Sequence, residues 1–204
     1  MEENHRVTGG PLLTERFDDA LAYASAAHRH QVRKSTAIPY VSHLLAVAAR
    51  VIEEGGDEDE AIAALLHDVV EDQGGKARLA DVAARFGERV AAIVAGASDT
   101  AQMPKPPWRE RKQRYLAHLA DPSTSRSVLL VSAADKLHNA RSILRDLRTE
   151  GPAIWSRFNA GPDDQLWYYR ELRDVFGRRL PGVLADELRE VVAELEAAIG
   201  AAPR

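Results

Sequence analysis

The sequence predicts an all-α, single-domain helical bundle. Three observations carry that expectation. The chain is rich in Ala and Leu, both strong helix formers. Few of its segments alternate with period two, whereas apolar residues recur at helical spacing along most of its length. Gly and Pro pairs punctuate it at intervals that fit one helix each. A chain of 204 residues with 45% hydrophobic content can bury one good core.

Thr14 is the expected N-cap of a first helix running to about His30, with Phe17, Leu21 and Ala24 on its buried face. Gln31 to Pro39 reads as a polar loop, and Pro39 can open the next helix at its first turn. That helix carries Tyr40, His43, Leu44, Val47 and Val51 and stops at Gly55-Gly56. Asp57, with Glu60 three residues on, resembles a capping box with Asp in place of Ser or Thr. The helix it opens contains Ala61 to Asp72 and ends at Gly74-Gly75. One further helix is expected near Leu79 to Phe86, closed by Gly87, and another from Glu88 to about Ala97. Ser98 to Trp108 holds Pro104, Pro106 and Pro107 among polar residues and reads as a loop. Arg109 to Leu119 returns to helix, and Asp121-Pro122-Ser123-Thr124 turns the chain into a long helix from Ser125 to about Arg148. Gly151-Pro152 and Gly161-Pro162 mark a looser region before two last helices, Asp163 to Arg179 and Pro181 to Ile199. Residues 1–12 are expected to form a flexible tail, 13–199 the folded domain and 200–204 a short C-terminal tail.

Composition narrows the function classes. The absence of Cys rules out a disulfide framework, a thiolate metal site and a cysteine nucleophile. The apolar runs are short and broken by charge, and the opening Met-Glu-Glu-Asn-His-Arg lacks a signal-peptide core, so a cytoplasmic protein without a membrane partner is expected. A net charge of −4 argues against a nucleic-acid partner bound through a broad basic surface, but leaves room for a local basic pocket. A small molecule is therefore the expected partner, and self-association into a homo-oligomer stays open.

The chemistry gathers in a few segments. One reads Ala-Leu-Leu-His-Asp-Val-Val-Glu-Asp, from Ala64 to Asp72. On a helix, residues i and i+4 share a face, so His67 stands above Glu71 and Asp68 above Asp72. An imidazole beside a carboxylate suits a divalent transition metal, and spare carboxylates suit activation of a water. Alone the dipeptide says little, since chance supplies about 0.5 His-Asp pairs in a chain of this composition. A second segment, Ala133 to Ser142, sets Asp135, Asn139 and Ser142 at i, i+4 and i+7, one stripe of a helix. An Asp among small apolar residues is costly to bury unless it is paired or ligates a metal; a plain salt bridge would also satisfy it. His43, flanked by core-type residues, reads by itself as a hydrogen-bonded core histidine.

Together, His43, His67-Asp68 and Asp135 resemble the HD superfamily of metal-dependent phosphohydrolases. The segments Arg33–Ala48, Ala64–Asp72 and Ala134–Arg141 resemble the hydrolase domain of the RelA/SpoT proteins, and the stand-alone small alarmone hydrolases most of all. The resemblance implies a Mn²⁺ ion held by His43, His67, Asp68 and Asp135, with Fe²⁺, Co²⁺, Ni²⁺ or Zn²⁺ as chemical alternatives. It implies that Glu71 and Asp72 orient and deprotonate the attacking water. On the substrate side it implies Arg33 and Lys34 beside the nucleotide with Ser35 next to them, Asn139 and Ser142 near ribose and phosphates, and Tyr169 or its neighbour Tyr168 on the substrate. The implied reaction removes the 3′-pyrophosphate of (p)ppGpp, leaving GDP or GTP and pyrophosphate. Rival readings are an HD phosphohydrolase for another nucleotide, such as ppApp or NADPH, and a nucleotide-binding regulator without catalysis. Lys105, Arg109, Arg111, Lys112 and Arg114 form a basic run expected to be a solvated helix face rather than part of the site. The chain departs from the family pattern in the Val-Ser-Ala-Ala before Asp135 and in the region after Arg148, and both departures bear on substrate choice.

Overall fold

The structure, a computed structural model, describes residues 13–70, 75–100 and 106–201. Among these residues the chain is helical and holds no strand beyond one antiparallel bridge between Val32 and Pro39. The all-α expectation holds. The helices are α1 (Glu15–Ala27), α2 (Val41–Glu53), α3 (Glu58–Leu66), α4 (Gly75–Phe86), α5 (Glu88–Ala97), α6 (Trp108–Ala120), α7 (Arg126–Glu150), α8 (Pro162–Arg179) and α9 (Val183–Gly200), with a 3₁₀ turn at Gly151–Arg157 in the looser region.

Helix α7 is the axis. Its 25 residues span about 37 Å at the α-helical rise, and it packs against α2, α3, α5, α8, α9 and the 3₁₀ turn. Leu129, Leu130, Val131, Ala133, Ala134, Leu137 and Ala140 are almost wholly buried, so the middle of this helix touches protein on most sides. Helix α5 comes close to its start: a Cβ on Gly96 would lie 2.6 Å from Val128 Cγ2. Such a contact is too short for any side chain, which is why glycine stands there.

The punctuation read from the sequence works locally. Helix α2 ends in a Schellman motif. Gly55 takes φ +76°, its N–H donates to the Ile52 carbonyl at 3.0 Å, and the Gly56 N–H donates to the Val51 carbonyl at 2.9 Å. The capping box at α3 is complete, with Glu60 N–H on Asp57 Oδ1 at 3.0 Å and Asp57 N–H on Glu60 Oε2 at 2.9 Å. Arg89, with Nη2 2.7 Å from Asp57 Oδ2, and the Glu60 N–H hold the Asp57 carboxyl below the usual carboxylate range. Because the folded value is depressed, this contribution is present above about pH 4 and disappears as pH falls through the folded value. The carboxylate is half exposed, so solvent screens the ion pair and the cap dominates. Asp57→Ala is expected to destabilise the protein by about 1 kcal/mol at pH 7 and by less at pH 3, as read from urea unfolding midpoints.

Several boundaries differ from the expectation. Helix α1 stops at Ala27 rather than His30, and α2 starts at Val41 rather than Pro39. The intervening loop pairs its own backbone, Arg33 N–H to the Ile38 carbonyl at 2.8 Å and Tyr40 N–H to the Gln31 carbonyl at 2.9 Å, which keeps Pro39 out of the helix. Helix α4 starts at Gly75, ahead of the expected Leu79, and α9 starts at Val183 rather than Pro181. The expected N-terminal tail, Glu71, Asp72, Gly74, Pro104 and Lys105 lie outside the described residues.

The correction that matters most is at the His-Asp pair. Helix α3 ends at Leu66, and His67 and Asp68 form a turn before helix resumes at Val69. The His67 ring takes up the Ala64 carbonyl, Nδ1 to O 2.8 Å, which an unbroken helix would offer to the Asp68 N–H. The i, i+4 alignment of His67 with Glu71 and of Asp68 with Asp72 therefore has no continuous helix to rest on.

Candidate metal centre and adjoining cavity

Three helices bring the acid and imidazole groups together. His43 is the third residue of α2, His67 caps the end of α3 with Asp68 next to it, and Asp135 lies in the middle of α7. His43 Nε2 lies 3.2 Å from Asp135 Oδ1 and 3.6 Å from Asp68 Oδ2. His67 Nε2 lies 3.1 Å from Asp68 Oδ2 and 3.7 Å from Asp135 Oδ1. One ligand atom each from His43, His67 and Asp135 falls within 4.8 Å of the others.

The protons say what this cluster wants. His67 Nδ1 faces a carbonyl, which can only accept, so the Nδ1 nitrogen carries the hydrogen and Nε2 presents a lone pair when the ring is neutral. Both Nε2 atoms are buried, and neither has a hydrogen-bond partner among the described residues. The His67 lone pair facing two carboxylates is repelled unless a cation lies between them. A proton can fill that role: burial opposes charge on His67, yet Asp68 and Asp135 raise its pKa well above the usual imidazole range. A divalent ion fills it better, because it meets all the donors at once. Nitrogen and oxygen donors without sulfur fit a divalent cation of the hard or borderline kind.

The acids are held in place from outside the cluster. The Tyr40 hydroxyl donates to Asp68 Oδ2 at 2.5 Å. Asn139 Nδ2 donates to Asp135 Oδ1 at 2.5 Å, and Lys136 Nζ lies 2.5 Å from Asp135 Oδ2. So Asp135 makes the plain salt bridge through one oxygen and faces the imidazoles with the other. Burial opposes its charge, but Lys136 and the two imidazoles hold its carboxyl well below the usual range.

A cavity of about 290 Å³ adjoins the cluster. Tyr40, Lys136 and Asn139 line it and touch Asp68 or Asp135 directly, so it opens beside the acids. Five basic residues line it (Arg33, Lys34, Lys112, Lys136 and Arg145) against one acid, Asp146. That excess suits a polyanion. Trp108, Phe158, Tyr168 and Tyr169 add aromatic wall, with Lys112 Nζ 4.9 Å from the Tyr168 ring centre. Rings and Arg side chains suit the flat face of a nucleobase.

Comparison with known proteins gives the family and the fold. The HD-domain family profile matches residues 20–166. The chain belongs to the HD-domain family. It is 38% identical over 141 residues to the Xenopus tropicalis guanosine-3′,5′-bis(diphosphate) 3′-pyrophosphohydrolase MESH1, covering 68% of this chain and 73% of that one. The Drosophila melanogaster MESH1 is 37% identical over 145 residues, covering 70% of this chain and 75% of its own. Among solved structures, a metazoan ortholog of SpoT described as hydrolysing ppGpp superimposes with a TM-score of 0.72 at 30% identity, covering 92% of this chain and 98% of that one. A Listeria monocytogenes EGD-e protein superimposes with a TM-score of 0.64 at 31% identity, covering 74% of this chain and 96% of its own.

Within this HD domain, the expected residues fall into four groups. His43, His67, Asp68 and Asp135 converge. Arg33, Lys34, Asn139, Ser142 and Tyr169 line the cavity, Arg33 donating to Asn139 Oδ1 at 2.7 Å and the Ser142 hydroxyl donating to the His138 carbonyl at 3.0 Å. Tyr168 lines it as well as Tyr169, and the Tyr168 hydroxyl is buried without a partner among the described residues. Burial pushes both phenols up. Ser35 is different: it is exposed, holds φ +58° and does not line the cavity. Its neighbour Thr36 does, its hydroxyl donating to the Arg33 carbonyl at 2.9 Å and accepting from the Ile38 N–H at 3.1 Å. Glu71 and Asp72 lie outside the described residues.

The sequence reading missed Tyr40, Lys112, Lys136 and His138. The basic run on α6 is not one solvated face. Arg109 and Arg114 are exposed and pair with Asp164 and Glu110, whereas Arg111 and Lys112 are turned inward onto the buried Asp99. A signal existed, because Trp108, Lys112 and Tyr115 fall at i, i+4 and i+7 and share a face. Nothing in the sequence singled out His138.

Proposed function

We propose that this HD domain removes the 3′-pyrophosphate of (p)ppGpp as a metal-dependent hydrolase, with Mn²⁺ as its ion, in the cytoplasm. The observation that carries the reading is the pair of buried imidazole nitrogens, without a hydrogen-bond partner among the described residues, facing two carboxylates beside a basic, aromatic-walled cavity. The MESH1 relatives, named for this reaction, support the choice of substrate.

His43, His67, Asp68 and Asp135 would hold the ion. When bound, it supplies Lewis-acid polarisation of the 3′-diphosphate and acidifies an attacking water. Glu71 and Asp72 orient that water and take its proton as its oxygen bonds to the phosphorus next to the 3′-oxygen. The P–O3′ bond breaks, the proton ends on the 3′-oxygen, and pyrophosphate leaves. Lys34, Lys112 and Lys136 meet the phosphate charge, and Arg33, held by Asn139 and 5.7 Å from the Tyr40 ring, faces the purine.

The test is product analysis by anion-exchange chromatography after incubation with ppGpp, ppApp, GTP and NADPH, with Mn²⁺ or with EDTA. GDP and pyrophosphate are expected from ppGpp with Mn²⁺ and not with EDTA. Cleavage of another compound while ppGpp survives would overturn the substrate and leave the metal chemistry standing. EDTA-resistant cleavage would overturn the metal.

A further inference from the structure

His43 and His67 are oriented by different kinds of partner. The ring of His67 leans on a backbone carbonyl, which fixes its tautomer. The ring of His43 has its Nδ1 2.8 Å from Nδ1 of His138. Two imidazole nitrogens at that distance need one hydrogen between them, and either ring can supply it. His138 lies three residues after Asp135 on α7. One helix therefore grips both edges of the wholly buried His43 ring, with the Asp135 carboxylate at Nε2 and the His138 ring at Nδ1.

The two arrangements differ in what Nε2 offers. If His138 donates, a neutral His43 carries its hydrogen on Nε2, aimed at Asp135 Oδ1 3.2 Å away. His43 Nε2 is then satisfied without an ion. If His43 donates, His138 accepts and carries its own hydrogen on Nε2, and His43 Nε2 presents a lone pair. Only the second arrangement can ligate. The metal reading above requires the second arrangement, with His43 Nδ1 as donor across the 2.8 Å contact to His138 Nδ1.

We propose that His138 is the positioning residue that sets the metal-binding tautomer of His43, by accepting its Nδ1 hydrogen. The inference rests on the metal reading above. It makes ion uptake a proton exchange within the His43–His138 pair with no net proton gained or lost by that pair.

The test is isothermal titration of the EDTA-stripped protein with MnCl₂, comparing wild type with His138→Phe and His138→Asn. Phe fills the ring volume and cannot accept. Asn offers Oδ1 where the histidine offers Nδ1. The expected result is a 10- to 100-fold loss of affinity, roughly, for Phe, with Asn within about threefold of wild type. Melting in EDTA separates this from unfolding; if Phe is not accommodated, His138→Leu replaces it. Equal affinity in wild type and the Phe protein, or equal weakening by Phe and Asn, would overturn the role of His138 alone. A wild type that takes up no divalent ion would instead overturn the metal reading and this inference with it.

Discussion

Asp135→Asn is expected to leave no measurable pyrophosphohydrolase activity, a loss beyond the roughly 10²–10⁴ that a missing general base costs. The same change should weaken Mn²⁺ binding by about a hundredfold or more. Asn keeps the shape of the side chain but removes the charge that sits 3.2 Å from His43 Nε2 and 3.7 Å from His67 Nε2. It also strands Lys136, a nearly buried cation whose Nζ lies 2.5 Å from the lost carboxylate. Breaking a buried pair by removing one partner typically costs about 3–5 kcal/mol, so the metal-free protein should melt roughly 10 °C lower. Loss of stability and loss of activity can be separated. Lys136→Met on top of Asp135→Asn removes the stranded charge, and should restore most of the melting temperature while restoring no activity. Calorimetric titration with MnCl₂, melting in EDTA and single-turnover rates check the three parts. Undiminished Mn²⁺ affinity in Asp135→Asn would exclude this carboxylate as a ligand.

Glu71→Gln with Asp72→Asn is expected to lower kcat by about 10²–10⁴ while Mn²⁺ affinity and KM stay within about threefold. The two carboxylates are assigned to proton transfer from the water, an event of the transition state, and not to holding the ion or the nucleotide. A loss made only in the transition state lowers kcat and kcat/KM together. The pH profile adds a separate readout. If a carboxylate is the base, kcat/KM in the wild type rises with pH through its pKa, and that limb disappears from the double variant. A double variant that loses the ion instead would place these residues among the ligands.

Much of this protein was legible before any tertiary contact was known. Helical periodicity and Gly-Pro punctuation predicted an all-helical bundle, and that is what forms, because caps and breaks act within a few residues of themselves. Gly55-Gly56 and the Asp57–Glu60 box are cases in which the local sequence is the whole cause. The grouping of His43, His67, Asp68 and Asp135 was legible only through the resemblance to the HD superfamily, because taken singly His43 reads as a core histidine and Asp135 as a salt-bridged acid.

What the sequence could not reveal has a common cause. Reading His67 to Asp72 as one helix assumed that nothing competes for the Ala64 carbonyl, but the His67 ring takes it. Ser35 and Thr36 are adjacent and similar, and only the loop's backbone pairing turns Thr36 inward and leaves Ser35 exposed. Lys112 belongs to a run of like charges, and only the packing of α6 beside α8 and Asp99 separates it from Arg109 and Arg114. His138 matters because α7 crosses α2 at the height of His43, a contact between residues 95 positions apart. The sequence by itself determined that the chain is helical and where its strongest caps and breaks fall, since propensity and capping are local properties. The tertiary structure alone decided which hydrogens those groups share and which cations face the cavity, because these depend on distances of about 3 Å between helices far apart along the chain.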